Sequence, residues 1–301
     1  MRLISTIAIV FLIIGCGDFF DQVVEVKIPD HQPRLALTCR LSSADTETNA
    51  FLTSSLGILE SETPDSIKEA NIYFRLNGSD QFELDYAFEG SFLSIGNYRS
   101  DQNMSLAQPG DRVEVFAEAS GFDPVSSEQV VPDIAPIIDV NFREGALLVD
   151  GIRPHQFEVS FNDPPGKQNY YLLKVIGLEK MDAFELKSIV RMQTEDPILN
   201  ENTLTDELQD QFVFDDRAFE SRKFVVIFTS ESLMQPSIGK KSFLIQLHAL
   251  SKDSYLFEKT VVAYQRSKDN PFAEPVIVHS NINDGFGLFS FDVISSVEIE
   301  F

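Results

Sequence analysis

Apolar and polar residues alternate along most of this chain, in short runs with a period of two. Ile72, Phe74 and Leu76 alternate with Tyr73 and Arg75, and after Asn77-Gly78-Ser79-Asp80 the pattern resumes at Phe82, Leu84, Tyr86 and Phe88. A period of two puts successive side chains on opposite faces of a strand, and an Asn-Gly pair between two such runs predicts a hairpin. Similar runs occur at Val24 to Ile28, Leu35 to Leu41, Phe51 to Leu59, Val113 to Ala119 and Val125 to Val131, with the polar stretch Ser42 to Asn49 reading as a loop. Seven or so short strands in about a hundred residues predict an immunoglobulin-like β-sandwich over residues 23–132.

Pro132 to Pro136 interrupts the alternation and marks a domain boundary. Beyond it, runs at Ile137 to Phe142, Phe157 to Phe161, Tyr170 to Ile176, Lys223 to Phe228 and Ser242 to Leu250 predict further strands. Val276 to Val278, Phe286 to Phe291 and Val293 to Phe301 read as closing strands. Together they make a second β-rich domain over residues 133–301. Met181 to Leu208 mixes signals, with Leu186 to Met192 strand-like, and predicts an irregular excursion. One helix is predicted over about 252–268, because Ser251 or Asp253 can cap it and no Gly or Pro follows until Pro271. Tyr255, Val262 and Gln265, with Phe257, Val261 and Tyr264, give it a loose apolar stripe, which suits a docked helix. The expected architecture is mainly β.

The first residues obey neither period. Arg2 precedes an almost unbroken apolar run, Leu3 to Ile14, that ends in Gly15 and Cys16. About twelve residues at ~1.5 Å each fall short of the ~30 Å hydrocarbon core, so residues 1–15 read as an export leader and not a membrane span. Ile13, Gly15 and Cys16 resemble the lipobox of bacterial lipoproteins. The resemblance implies cleavage between Gly15 and Cys16, an acylated Cys16 at the mature N-terminus, and a tether over residues 16–22. A leader cut elsewhere, with Cys16 an ordinary thiol, is the alternative. Several acyl chains, at about 0.8 kcal/mol per buried methylene, would hold the chain in outer-membrane lipid permanently.

With 301 residues, two domains are the prior. The chain has 26 Phe, 7 Tyr and no Trp, which weakens a carbohydrate-stacking reading without excluding Tyr or Phe in that role. Its 24 basic and 47 acidic residues give a net charge of −23, which repels phosphate backbones and excludes nucleic acid as a partner. If Cys16 carries lipid, Cys39 has no partner for a disulfide. It reads as a small packing residue, on the face opposite Leu35, Leu37 and Leu41.

Catalytic constellations are missing from the sequence. His31, His155, His248 and His279 show no zinc-ligand spacing, and no Gly-x-Ser-x-Gly elbow, phosphate-cradling loop or dinucleotide fingerprint occurs. Asn281-Ile282-Asn283-Asp284-Gly285 resembles the start of a calcium loop but lacks the spacing to a terminal Glu, and reads as a plain turn. No metal or cofactor is expected. Asp65-Ser66-Ile67 resembles a Bacteroidota O-glycosylation acceptor, making Ser66 a candidate site.

The helix and the segment after it carry a more specific resemblance. Asn270-Pro271-Phe272, then Pro275, then Asn281-Ile282, then a Gly-rich strand at Gly285 and Gly287 resembles the C-terminal signature of a Bacteroidota lipoprotein family, domain-of-unknown-function family 4249. Pro109-Gly110 before a strand and Val131-Pro132 followed by Pro136-Ile137 agree in outline, whereas Ser221 stands where the family has Gly. The resemblance implies an envelope lipoprotein, often encoded beside TonB-dependent receptors, and no catalytic chemistry. As packing, Asn270 stops the helix, Pro271 prevents its continuation, Phe272 is expected in the core, and Gly285 and Gly287 permit a turn or a close backbone approach. The functional alternative is that this end forms a partner-facing edge.

The expected function is a non-enzymatic outer-membrane lipoprotein, lipid-anchored on the cell-surface face in preference to the periplasmic face. Asp18 and Asp21 near the lipid resemble surface-export signals. It would be an accessory of a TonB-dependent transporter, contacting the β-barrel or its ligand. A structural or assembly subunit of an envelope complex is the alternative, and a surface hydrolase a third. A pocket or aromatic patch would mark the first, a broad apolar face the second, and converging titratable groups the third.

Overall fold

The computed structural model describes residues 31–57, 60, 63–87, 96–145, 154–181, 185–200, 208–220, 222–230, 240–268, 270 and 272–300. The expected Val24 to Ile28 strand lies outside them. Seven strands follow from the first half: β1 (Leu35–Ser42), β2 (Thr48–Ser54), β3 (Ala70–Leu76), β4 (Ser79–Tyr86), β5 (Tyr98–Ser100), β6 (Arg112–Ala119) and β7 (Val125–Val130). Asn77 (φ 51°) and Gly78 (φ 79°) both take the left-handed conformation, so β3 and β4 are joined by the two-residue turn whose twist matches the strands.

The second half supplies β8 (Ile137–Arg143), β9 (His155–Asn162), β10 (Tyr170–Lys180), β11 (Glu185–Ile189), β12 (Met192–Gln193), β13 (Phe212–Asp215), β14 (Lys223–Ser230) and β15 (Lys240–Leu250). Helix α1 (Lys252–Ser267) and β16 (Phe286–Glu300) complete it. The fold is mainly β, with two sheets and one helix among the described residues. Val276 to Val278 is not a strand, correcting the sequence expectation. The chain there hangs on the helix, where the His279 N–H donates to the Thr260 hydroxyl at 2.9 Å.

Strand β16 joins the two halves. Its first part pairs in parallel with β1 from Ala36↔Phe286 to Ser42↔Asp292, and its last part pairs antiparallel with β15 from Ala249↔Val293 to Ser242↔Glu300. One twelve-stranded sheet therefore runs β11-β10-β15-β16-β1-β2-β5-β4-β3-β6-β7, with β13 beside β10, and a four-stranded sheet β12-β14-β9-β8 packs against its second half. Residues 131–136 carry no regular structure, as their prolines dictate, but the sheet continues past that boundary through β16. At about 3.3 Å per residue, fifteen residues span roughly 50 Å, enough to reach along both halves.

The phenylalanines fill the space between the sheets. Phe157 stacks on Phe228 at 5.0 Å and meets Phe243 edge-on at 5.1 Å, while Phe219 stacks on Phe224 at 3.9 Å. Phe74 and Phe289, 6.2 Å apart, extend the same core into the first half. Ring pairs of this kind add about 0.5–1.5 kcal/mol each beyond their buried area.

Cys39 corrects a sequence expectation. It is buried on the same face as Leu35, Leu37 and Leu41, because odd-numbered positions of one strand share a face. Burial, then repulsion from Asp45, pushes its thiol well above the ordinary range, leaving it unreactive.

Candidate functional site

The signature segment begins where the helix ends. Ser251 caps α1 by accepting from the Ser254 N–H, and the last turn closes with Lys268 N–H donating to the Tyr264 carbonyl. The helix docks by its first half alone: Ser254, Tyr255 and Glu258 are buried, whereas residues 263–266 are exposed. Its seat on the sheet is small and mixed, with Tyr255 packed against Leu172 and Leu250 beside a set of polar contacts. Glu258 accepts from Arg40 at 2.6 Å and from Gln211 at 2.8 Å, and the Tyr255 hydroxyl donates to Asp215 at 3.1 Å. A weak apolar stripe suffices because these polar contacts add to that small apolar cluster.

Beyond the helix, the Asn270 side chain accepts the Phe272 N–H at 3.0 Å and its carbonyl accepts the Ala273 N–H at 3.1 Å, fixing a tight turn. Phe272 does not enter the core, contrary to the sequence expectation. It is 95% exposed, and Ile277, farther along, is 88% exposed. The Asn270 turn leaves the ring in water instead of against the sheet. Between these two apolar side chains and β16 the chain is pinned. The Asp253 carboxylate contacts His279 Nε2 at 2.8 Å and accepts from Gln129 of β7 at 3.0 Å.

Asn281 fixes the other end. Its side-chain amide donates to the Phe289 carbonyl at 2.8 Å and accepts the Phe289 N–H at 2.9 Å, standing in for a missing strand neighbour. Asn281 and Asn283 also tie β7 down, through Ser127 Oγ donating to the Asn281 carbonyl at 2.7 Å and Asn283 N–H donating to the Ser126 carbonyl at 2.8 Å. Ile282 is buried. Gly285 and Gly287 serve a close backbone approach: a Cβ would lie 2.5 Å from the Leu35 carbonyl oxygen at Gly285 and 2.0 Å from the Leu37 carbonyl oxygen at Gly287.

Gly15, Cys16 and Pro271 lie outside the described residues. Ser66 is half-buried and bridges to Thr53 in an antiparallel contact, so its backbone is held and not free in a loop. The described signature residues thus gather at one end of β16, whereas Ser66 sits apart in the first half.

Two polar clusters escaped the sequence reading. In the first, Asn169 donates from its side chain to Asp163 at 3.2 Å and Asp216 at 3.1 Å and from its backbone to Asp216 at 2.8 Å, while the Tyr171 hydroxyl donates to Asp163. Burial pushes the Asp216 carboxyl above its ordinary value, Asn169 hydrogen bonds oppose this, and Asp163 adds repulsion. Burial, then the Asp163 contact, pushes the Tyr171 phenol up. These groups sit inside the core and are spent on one another. The second cluster lies under the helix, where Asp292 contacts His248 Nδ1 and Ser254 Oγ, each at 3.4 Å. Asp292 stands between Ser254 and His248, so the serine-to-imidazole contact that nucleophilic catalysis needs is not made here. No sequence spacing signals either cluster, since Asp216 reaches Asn169 from 47 residues away and Ser254 of the helix meets Asp292 of β16 from 38 residues away.

Among the described residues, no three His, Cys, Asp or Glu side chains converge as metal ligands, and no helix is long and apolar enough to cross a membrane.

The sequence matches the family described as Domain of unknown function (DUF4249) over residues 21–295. The chain belongs to the DUF4249 family. The matched span includes every signature residue from Asn270 to Gly287, so the exposed Phe272 and the Asn281 clamp lie within the DUF4249 region. No curated protein matches the chain. A crystal structure of a DUF4785 family protein from Legionella pneumophila is similar at 13% identity, over 71% of this chain and 51% of that one, with a TM-score of 0.25. The chain spans about half the length of that protein, and a likeness this distant carries no argument for the DUF4249 chain.

Proposed function

We propose that this chain is a non-enzymatic lipoprotein, held in outer-membrane lipid by an acylated Cys16 and exposed at the cell surface. There it docks on a β-barrel partner as an accessory of a TonB-dependent transporter. The observation that carries the docking part is the position of Phe272. A large aromatic ring presented almost bare to water, on a turn built by Asn270, contributes no packing to the isolated chain and is suited to anchor a protein interface. Pinning of the segment by Asp253, His279 and Asn281 limits the entropy lost on binding. The lipid part rests on Ile13, Gly15 and Cys16 in the leader.

Affinity purification of the tagged full chain from detergent-solubilised outer membranes tests the reading. Recovery of one TonB-dependent receptor in near-equal amount, lost with Phe272→Ser, is the expected result. A stable complex lacking such a receptor would shift the reading to an assembly subunit, and recovery of the chain alone would sink both. Radiolabelled palmitate incorporated by the wild type and not by Cys16→Ala tests the anchor separately.

A further inference from the structure

The outward face of β3, β4 and β6 carries a feature that neither the fold nor the docking reading uses. Tyr73 and Phe116 are directly opposite across β3 and β6, and their rings stack at 4.9 Å with an interplanar angle of 10°. The Arg75 guanidinium forms the third corner, 4.8 Å from the Phe116 ring centre and 5.5 Å from that of Tyr73, and is itself held by Asp80 at 2.6 Å. Beside this stack is a surface depression of about 410 Å³. Tyr73 lines it and Phe116 does not, so Phe116 backs Tyr73 from the β6 side and leaves the tyrosine as the depression's aromatic wall. A volume in this range suits a small-molecule site.

Phe74 and Phe82 also line the depression but are buried, and the rest of the wall is polar. Asn71, Arg75 and Gln81 bring donors, while Asp80, Glu83 and Glu118 bring acceptors. A β-bulge places one of them. Phe74 pairs with Phe82 and Arg75 with Asp80, so Gln81 is the extra residue, turned out of register at the depression. Bulges re-aim side chains in this way next to binding sites.

The mixture of donors and acceptors discriminates among ligands. An anion needs donors alone, and three carboxylates on this wall would repel it. A simple cation would be drawn by the wall's net negative charge but would leave the Asn71, Arg75 and Gln81 donors unused. A neutral polyol both donates and accepts at every hydroxyl, and the apolar C–H face of a pyranose packs against an aromatic ring. We infer that the depression walled by Tyr73, Arg75, Gln81 and Glu83 is a binding site for neutral saccharide. The site stands on its own geometry and does not need the docking reading.

Calorimetric titration of the full-length lipoprotein, solubilised in a detergent that contains no sugar, tests this. The neutral probes are maltoheptaose, cellohexaose, laminarihexaose, mannohexaose and xylohexaose, with hexagalacturonate and spermine as charged controls. Saturable binding of at least one neutral probe is expected, weakened about tenfold or more by Tyr73→Ala and kept by Tyr73→Phe. Glu83→Ala and Gln81→Ala change exposed side chains, preserve the melting curve, and are expected to weaken the same probe. Phe272→Ser is expected to leave it unchanged, which separates this site from the docking surface. Binding of none of the neutral probes, binding of a charged control alone, or binding indifferent to Tyr73→Ala, Glu83→Ala and Gln81→Ala would overturn the inference.

Discussion

Asn281 and Phe289 exchange two hydrogen bonds, side-chain amide to backbone peptide, at 2.8 and 2.9 Å. Asn97 does the same to Leu52 in the first half, at 2.7 and 2.8 Å. In both places a side-chain amide fills the slot of an absent strand. Truncation leaves a peptide N–H and C=O without partners, which costs about 1–3 kcal/mol per buried group. Asn97 is fully buried and Asn281 only partly so, so water can partly replace the second clamp. Asn97→Ala is expected to lose about 3 kcal/mol in urea unfolding and Asn281→Ala about 1–2. Equal losses would mean that water does not reach Asn281.

Gly287 offers a sharper contrast with Gly121. Both have positive φ, 114° and 87°, but a Cβ at Gly287 meets the Leu37 carbonyl oxygen at 2.0 Å, whereas nothing lies within 4 Å at Gly121. Gly121→Ala incurs conformational strain alone, about 1 kcal/mol. Gly287→Ala must also push β16 away from β1, so a loss above about 3 kcal/mol, or failure to fold, is expected. Thermal melts of the two variants make the comparison.

The local parts of this fold are legible in the sequence because they depend on neighbours in the chain. Asn77-Gly78 predicts its turn and Ser251 its cap, and alternation marks most strands. The same local view fails where distance in the chain decides. Phe286 to Phe291 and Val293 to Phe301 read as two strands, yet they are one, since nothing in the sequence tells that β16 takes β1 on one side and β15 on the other. Phe272 reads as core because it is apolar, but its burial depends on where the Asn270 turn points it relative to the sheet. Asp163 and Asp216 are unremarkable alone and meet only when Asn169 brings the loop before β10 against the turn after β13.

That meeting gives a pH dependence whose sign can be worked out. Asp216 has a carboxyl pKa raised by burial and by Asp163, so the folded protein holds this proton more tightly than the unfolded chain does. Its contribution to stability is greatest below the ordinary carboxylate pKa and falls as pH rises through the raised value. Asp215 behaves oppositely. Burial raises its pKa, but hydrogen bonds from Arg217 and Tyr255 outweigh this and leave it lowered, so its contribution is present above the ordinary pKa and is lost as pH falls through the lowered one. Urea unfolding from pH 3 to 7 is expected to show Asp216→Asn gaining on the wild type as pH rises, and Asp215→Asn losing ground over the same rise. Parallel curves for wild type and both variants would contradict both assignments.

The helix seat predicts a different kind of loss. Glu258 holds both Arg40 of β1 and Gln211 before β13, and its side chain is 10% exposed. Glu258→Ala leaves Gln211 without its acceptor and turns the 43% exposed Arg40 over to water, and should cost about 1–2 kcal/mol, while Glu258→Gln keeps hydrogen bonds and should recover part of it. Because α1 leads directly into the signature turn, hydrogen exchange in residues 270–280 should rise in Glu258→Ala. An unchanged exchange pattern would show that Asp253 and Asn281 alone hold that segment.

The last prediction sets Phe272 against Phe289, two rings in the same C-terminal stretch. Phe289 has no exposed surface and packs near Phe74, so Phe289→Ala opens a cavity and is expected to cost about 3–5 kcal/mol. Phe272 has nothing to lose in the isolated chain, and Phe272→Ala should change stability by no more than about 0.5 kcal/mol. If the ring is there for a partner, the same substitution removes a buried aromatic anchor from the complex, where such anchors cost 2 kcal/mol or more, roughly 30-fold in affinity. Melting curves of the purified chain beside recovery of the partner from membranes separate the two energies. A Phe272→Ala chain that melts with the wild type and still recovers its partner undiminished would leave the exposed ring without a docking role, and a chain that melts early would return Phe272 to the core.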